Sequence, residues 1–140
     1  MVDASSIVVG PPPPEQRRAL MDELLEFNRK ATGIADDEEF YAFTRNDRGD
    51  LVAGIYGWLW GGTCEIALFW VREDQRGRGL GGALLGAAED KARELGCRQV
   101  VLRTHSFQAP EFYAARGYRS VGIVDDYPEG YSDFILRKTL

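Results

Sequence analysis

Four glycines and two arginines lie close together in the middle of the chain, in the segment Arg76-Gly77-Arg78-Gly79-Leu80-Gly81-Gly82. Glycine lets a backbone turn sharply and approach a ligand closely. The segment directly precedes the strongest helical pattern of the chain, and the first N–H groups of a helix are unpaired donors at the positive end of its dipole. The sequence therefore predicts a loop that binds a phosphate-bearing ligand.

The same glycines allow a second interpretation, because Gly77, Gly79 and Gly82 satisfy the G-x-G-x-x-G pattern of dinucleotide-binding folds. That pattern normally opens the first of several βαβ units, whereas here it follows half of the chain. The acidic residue expected about 20 positions later is absent, since Arg103 and Thr104 end the next predicted strand. Arg103 would suit a 2′-phosphate, so an NADP-binding oxidoreductase is kept as a minor alternative. A tight turn without a ligand is the third interpretation.

Hydrophobic spacing predicts one helix and four strands in the first half of the chain. The helix begins at Pro14, whose missing N–H has no cost in a first turn, and ends at Gly33. The prolines from Pro11 to Pro14 are interpreted as an extended connection rather than as an SH3-type ligand. The predicted strands are Ser5 to Val9, Phe40 to Thr44, Leu51 to Trp60 and Glu65 to Val71.

The second half continues with the long helix that follows the glycine loop. Its apolar residues recur on one helical face, at positions 80, 83, 84, 87, 88, 92 and 95, and Gly96 ends the pattern. The strands before and after this helix are expected to be parallel, and the other pairs antiparallel. This order predicts a single α+β domain over residues 1–140, built around one twisted mixed sheet. The remaining predicted elements are a strand at Val100 to Leu102, a short helix at Pro110 to Arg116, and strands at Tyr118 to Val124 and Tyr131 to Leu136.

Composition narrows the function classes. The chain has 140 residues, 44% of them hydrophobic, and a net charge of -5 without a block of Lys and Arg, which argues against a nucleic-acid partner. No apolar run is long enough to span a membrane, and the first ten residues lack the features of a secretory signal, so we expect a cytoplasmic location. Cys64 and Cys97 stand far apart and are expected to be buried thiols, not metal ligands or a disulfide.

The glycine loop resembles the pyrophosphate-binding motif of the GNAT superfamily of N-acetyltransferases, written Q/R-x-x-G-x-G/A, which Arg76 to Gly81 satisfies completely. The resemblance extends upstream to Glu65 to Val71, which is similar to the fourth strand of that family. It extends downstream to Ala109, Phe112-Tyr113 and Gly117-Tyr118, and it covers about half of the chain. Ser106 to Tyr113, with the sequence Ser-Phe-Gln-Ala-Pro-Glu-Phe-Tyr, also looks like a small bacterial subgroup.

This resemblance implies a three-layer fold, with a mostly antiparallel sheet of about six or seven strands flanked by helices. It implies acetyl-coenzyme A as cosubstrate and no metal. The strand at Glu65 to Val71 would carry a bulge and diverge from the strand at Val100 to Leu102, so that the pantetheine arm lies between them. Ser106 stands where many members have Asn, and it or Gln108 would replace that contact. The residues implied in cofactor binding are Phe69, Trp70, Val71, Arg76, Gly77, Arg78, Gly79, Leu80, Gly81, Gly82, Ser106, Gln108 and Tyr113.

Acetyl transfer to an amine requires a proton acceptor, because an alkyl amine has a pKa of about 10 and is mostly charged at neutral pH. The resemblance implies Glu65, eleven residues before Arg76, as the leading base, with a strand-edge ion pair as the equally weighted alternative. It implies Tyr113 as the proton donor to the leaving thiolate, against a merely packed tyrosine. His105, the single histidine, is the third candidate.

As the acceptor, the resemblance implies a primary amine of a small molecule or a peptide. Trp58, Trp60 and Trp70 are expected in the core, with a substrate wall as the alternative, and Asp36 to Glu39 and Asp125-Asp126 would attract a cation or be solvated surface. A sensor that binds acetyl-coenzyme A without turnover also stays open, as do a monomer and a homodimer.

Overall fold

The structure is a computed structural model that describes residues 1–140. Its contacts divide the chain into two compact units, Met1–Ala35 and Asp36–Leu140. The first unit holds a 3-10 turn at Ala4–Ser6 and helix α1. The helices are α1 (Pro14–Thr32), α2 (Leu80–Glu94) and α3 (Pro110–Ala114), and the strands are β1 (Glu38–Arg45), β2 (Leu51–Trp60), β3 (Thr63–Val71), β4 (Gln99–His105), β5 (Arg119–Asp125) and β6 (Ser132–Thr139).

The first unit confirms the predicted helix and contradicts the predicted first strand. Helix α1 ends at Gly33, which has φ 72° and donates its N–H to the Arg29 carbonyl at 2.8 Å. The strand predicted at Ser5 to Val9 is wrong, because Asp3 accepts a hydrogen bond from the Ser5 N–H at 2.7 Å and caps a turn instead. Such local side-chain bonds compete with extended structure. No helix of the protein is both long and apolar enough to cross a membrane.

The second unit contains the predicted mixed sheet. Its six strands lie in the order β1-β2-β3-β4-β6-β5, and only β3 and β4 run parallel. This topology confirms the α+β fold class and the parallel pair around α2. It also excludes a doubly wound dinucleotide-binding fold, which needs several parallel strands.

Helix α2 packs on one face of the sheet, called here the inner face, against residues such as Ile55, Cys64 and Val100. Both cysteines are buried free thiols, as predicted. The buried residues of α2 are Leu84, Leu85, Ala88, Glu89 and Ala92. The packed face is therefore rotated from the predicted one, since Ala83, Ala87 and Leu95 are exposed.

Glu89 explains why the apolar pattern misplaced that face. Its carboxylate is buried and accepts two hydrogen bonds from the Lys138 ammonium on β6, at 2.7 and 2.9 Å. A buried charge is tolerated when it is paired and hydrogen-bonded. The pair thus joins α2 to β6 within the core.

A β-bulge in β3 controls which side chains face the core. Tyr56 pairs with Leu68 and Gly57 pairs with Ile66, so Ala67 is an extra residue on β3. Inserting one residue moves all later side chains to the opposite face. Cys64 and Ile66 face inward before the bulge, whereas Phe69 and Val71 pack on the core after it.

The three tryptophans are not core residues, contrary to the prediction. After the bulge, Trp70 points away from the core and is 47% exposed. Trp58 is 38% exposed, and Trp60 is half-buried. Both lie on the outer face, opposite α2, because alternate residues of β2 share a face and Leu59 is buried on the inner one.

Gly57 is required opposite the bulge. A Cβ at this position would lie 2.2 Å from the Glu65 carbonyl oxygen and 2.8 Å from the Phe40 ring. We therefore expect Gly57→Ala to lower the free energy of unfolding by about 1–3 kcal/mol, as overpacking does in other cores. Urea unfolding followed by circular dichroism measures this change.

Gly54→Ala is the matched control on the same strand, since its nearest contact would be the Ala42 carbonyl oxygen at an ordinary 3.5 Å. An alanine that fits its site is close to neutral or slightly stabilising. Equal losses of stability in the two variants would contradict the steric role of Gly57.

Candidate active site

Strands β3 and β4 separate in the middle of the sheet. They pair from Thr63 with Gln99 to Ile66 with Leu102, and the pairing stops there although both strands continue. From the bulge at Ala67 onward, the edge of β3 that faces β4 has no strand partner. The result is a wedge-shaped opening, here called the cleft, bordered by Phe69 on one side and His105 on the other. This bulge and divergence agree with the predicted geometry.

The glycine loop lies at the open end of the cleft, between β3 and α2. Gly77 and Gly79 have φ values of 75° and 80°, which glycine adopts without strain. Gly79 is the N-cap of α2, and no atom lies within 4 Å of a Cβ built on either glycine. The loop therefore presents unobstructed backbone at the positive end of a 15-residue helix.

Arginine side chains surround this helix end. Arg76 donates from its Nε to the Val71 carbonyl at 2.9 Å, which ties the last residue of β3 to the loop. Arg78 is exposed. A third arginine, Arg116, lies against the first turn of α2, where its guanidinium is 2.9 Å from a Cβ built on Gly82. It also stacks on the Phe112 ring at 3.8 Å.

Arg116 is a candidate site residue that the sequence analysis missed. It follows the C-terminal end of α3, four positions after Phe112, and donates to the Phe112 carbonyl at 3.0 Å. The spacing of a cation four residues after an aromatic ring was the available signal. The missing Cβ of Gly82 makes room for Arg116 beside the loop. Gly82 therefore has a steric role as well as a place in the motif.

Tyr113 projects from α3 toward the diverged part of β3. Its ring is buried, with 8% exposure, and makes edge contacts with Phe69 and Tyr118 at centroid distances of 6.3 and 5.7 Å. Burial raises the pKa of the phenol to about 12. The Tyr113 hydroxyl has no hydrogen bond within the chain. Every fully buried polar side-chain atom does have a partner, so the Tyr113 oxygen is not fully buried and is reached by solvent. Tyr113 thus combines a fixed ring with a reachable proton.

Ser106 and Gln108 stabilise the end of β4 and the turn that follows. The Ser106 hydroxyl accepts from the Ser132 N–H at 3.1 Å. The Gln108 side-chain oxygen accepts from the His105 N–H at 2.7 Å. These bonds use the acceptor atoms of both side chains and leave the Gln108 amide N–H groups for another partner.

Glu65 lies on the outer face, two residues before the bulge. Its carboxylate accepts a hydrogen bond from the Trp58 indole N–H at 3.1 Å. A cavity of about 280 Å³ adjoins it, lined by Trp58, Trp60, Gly61, Thr63 and Glu65. The arrangement brings a carboxylate and two indole rings together on the outer face, in the part of β3 that is still paired with β4.

His105 occupies the β4 side of the cleft, near a buried carboxylate. Its Nδ1 lies 2.9 Å from the Tyr127 carbonyl oxygen and 3.6 Å from Asp133, which is 2% exposed. Because a carbonyl only accepts hydrogen bonds, Nδ1 is the donor in its contact with the Tyr127 carbonyl. Asp133 is also paired with Arg103, so that arginine is committed to an internal carboxylate.

Known proteins resemble this chain in sequence and structure. The family model described as Acetyltransferase (GNAT) family matches residues 3–118. Blasticidin-S acetyltransferase of Streptomyces morookaense is 38% identical over 107 residues, which cover 74% of this chain and 76% of that protein. An acetyltransferase of Agrobacterium fabrum is 29% identical over 86% of this chain and 88% of its own length. A crystal structure of an acetyltransferase from Bacillus cereus is 30% identical, with a TM-score of 0.79, and covers 97% of this chain and 99% of its own.

The position of Arg116 gives a prediction for ligand binding at the loop. Arg116→Met removes the charge and keeps an unbranched side chain on the Phe112 ring. We expect the affinity for acetyl-coenzyme A to fall about tenfold, the order of one charge-assisted hydrogen bond. Isothermal titration calorimetry at two salt concentrations measures both this loss and its salt dependence.

Arg98→Met is the control with the same change of charge, since Arg98 precedes β4 at the other end of the sheet from the loop. It should leave the affinity within about twofold. If the two variants bind acetyl-coenzyme A equally well, Arg116 does not contribute to the anion site.

Proposed function

Because the chain belongs to the acetyltransferase (GNAT) family, we propose that it transfers the acetyl group of acetyl-coenzyme A directly to a primary amine of a small molecule. The family and its structural relatives make the chain an acyltransferase. The observation that supports direct transfer most strongly is the cleft, with a glycine loop at its end and the Tyr113 hydroxyl beside it. We also propose that residues 1–140 act as one domain.

The residues around the loop fit a diphosphate ligand. The open space in front of Gly77 and Gly79 admits a close approach to backbone N–H groups, and Arg78 and Arg116 add positive charge. The unpaired edge of β3 offers backbone groups to an extended arm, as in strand addition. Acetyl-coenzyme A, when bound, supplies a thioester as an activated acyl donor.

Glu65 is the proposed proton acceptor on the amine side. Its carboxylate attracts an ammonium, and a water molecule between the two groups would carry the proton from nitrogen to oxygen. The Trp58 N–H holds the Oε2 atom of Glu65 in place, which leaves Oε1 to accept the proton. A free amine then has the lone pair that attack on a carbonyl carbon requires.

Tyr113 is the proposed hydrogen-bond donor on the sulfur side. With a pKa of about 12, its phenol stays protonated at every pH at which the enzyme would work. An ordinary thiol has a pKa of about 8.5, so the phenol is the weaker acid. Tyr113 therefore stabilises the departing thiolate mainly by donating a hydrogen bond, and the amine is a nearby source of the proton that sulfur finally takes.

The acceptor is proposed from the chemistry of the outer face and from a relative. Glu65 and the indoles of Trp58 and Trp60 suit a cation with an apolar or planar body. The relative that is 38% identical is named for blasticidin S. Blasticidin S is accordingly the first acceptor to test, followed by simpler primary amines.

Acceptor-dependent release of thiol is the first test of this function. The protein, acetyl-coenzyme A and each amine are mixed with a thiol reagent, and we expect steady release only with an acceptor. The products are checked by mass spectrometry for the added acetyl group. Acetyl-coenzyme A should also raise the melting temperature more than NADP does, because a ligand stabilises the state that binds it.

Two outcomes would overturn the proposed acetyl transfer. Stabilisation by acetyl-coenzyme A without thiol release from any amine would identify a sensor instead. A larger rise in melting temperature with NADP than with acetyl-coenzyme A would contradict the assignment of acetyl-coenzyme A as the cosubstrate.

Tyr113→Phe gives the second test. The substitution keeps the ring contacts and removes the hydroxyl, so the chemical step should slow by about 10²-fold with little change in cofactor affinity. Because the phenol remains protonated up to a pH near 12, ionisation of Tyr113 should produce no fall in the parent rate between about pH 6 and about pH 10. Single-turnover kinetics across this range measures the chemical step without product release.

Tyr118→Phe is the matched control, since it removes a phenol from the same core. The Tyr118 hydroxyl faces Glu89, at 3.5 Å, and not the cleft. Its single-turnover rate should equal that of the parent even if its melting temperature falls. If Tyr113→Phe also matches the parent at every pH, Tyr113 has only a packing role.

A further inference from the structure

We propose that the acceptor carries a second cation besides the reacting amine, and that Glu39 binds it across the Trp58 indole. This inference rests on the proposed acetyl transfer and deepens it, since it names a class of substrate: amines with a further ammonium or guanidinium group. The site lies on the outer face of β1, β2 and β3. Glu39 belongs to the acidic run Asp36 to Glu39, for which the sequence predicts either attraction of a cation or solvated surface.

The register of the sheet places the three residues in one row. Glu39 on β1 is the cross-strand partner of Trp58, and Trp58 is the partner of Glu65 on β3. Cross-strand partners project from the same face of a sheet. The indole of Trp58 therefore lies between two carboxylates, one beside the cleft and the other on the far side of β2.

Each carboxylate is held by a ring donor and keeps one oxygen uncommitted. The Trp58 N–H donates to Glu65 Oε2 at 3.1 Å, and the Tyr56 hydroxyl donates to Glu39 Oε1 at 3.0 Å. Neither carboxylate forms an ion pair with a lysine or arginine of the chain, unlike the nearby Glu38, whose carboxylate lies 4.0 Å from Lys91 Nζ. Two fixed carboxylates without internal counter-ions form a negative site that a dication would match.

The surface between the carboxylates suits the body of such a ligand. Trp58 is 38% exposed, and its ring makes an edge contact with Tyr56, which orients the indole. A cavity of about 280 Å³ lies along Trp58 and Trp60 at the Glu65 end of the row, and Glu39 does not line it. Aromatic faces attract guanidinium and ammonium groups, most strongly those of tryptophan.

The spacing of the row sets the separation of the two charges. Glu39 and Glu65 are two strand spacings apart, which is about 10 Å between backbones. The side chains can converge on a shorter ligand above Trp58. A four-carbon chain with an amine at one end and a guanidinium at the other spans the row, with the amine at the Glu65 end near the cleft.

Agmatine and butylamine test this directly, because they share a four-carbon chain and differ by the guanidinium. Isothermal titration calorimetry uses the full chain saturated with coenzyme A, so that binding is measured without turnover. We expect agmatine to bind about tenfold more tightly than butylamine, with a preference that weakens as salt is added. Glu39→Gln should remove most of this preference.

Glu94→Gln is the control, because it makes the same change of charge on α2, which packs on the opposite face of the sheet. It should keep the full preference, and the melting temperatures of both variants should stay close to that of the parent. Trp58→Leu should lower the affinity for agmatine more than the affinity for butylamine. Equal affinities for the two amines, or equal behaviour of Glu39→Gln and Glu94→Gln, would overturn the second-cation site.

Thiol release from acetyl-coenzyme A separates this failure from a failure of the proposed function. Acetylation of both amines with equal kcat/KM would leave acetyl transfer intact and remove the second-cation site. Selective binding of agmatine without any acetylated product would support the cation site and contradict transfer.

Discussion

The close approach of Gly57 to the Glu65 carbonyl is the contact on which the rest of the site depends. With a side chain at position 57, β3 could not bulge at Ala67 while staying paired with β2. The bulge coincides with the end of β3–β4 pairing, so it helps to open the cleft. A single missing methyl group is thus linked to the position of the proposed chemistry.

The bulge also divides β3 between the two sides of the sheet. Glu65, before it, projects to the outer face with Trp58, whereas Phe69, after it, packs inward near Tyr113. On the proposed function, the amine side and the sulfur side of the reaction are reached from opposite faces of one strand. The thioester between them would lie in the plane of the sheet, where the divergence of β3 and β4 leaves room.

Much of the fold could be predicted from the sequence because it follows from local signals. Helix stops at glycine, the alternation along β2 and the glycine loop before α2 each depend on a few neighbouring residues. The exposure of Trp70 could not be predicted, since it depends on one inserted residue that only the pairing with β2 reveals. For the same reason, Arg116 beside Gly82 and Glu39 beside Trp58 are neighbours only through the fold. The predicted core left out Glu89 because glutamate is normally charged. Its partner Lys138 is 49 positions away, so the sequence does not reveal the pair that allows Glu89 to be buried.

That buried pair also limits how the sequence can diverge. Replacing Glu89 or Lys138 alone leaves an uncompensated charge in the core, at a cost of about 3–5 kcal/mol, which is a large part of the stability of a small domain. Replacing both by apolar residues of similar volume is often neutral. The two positions are therefore free to evolve together but not separately, and correlated substitution between them would report the docking of α2 on β6 throughout a lineage.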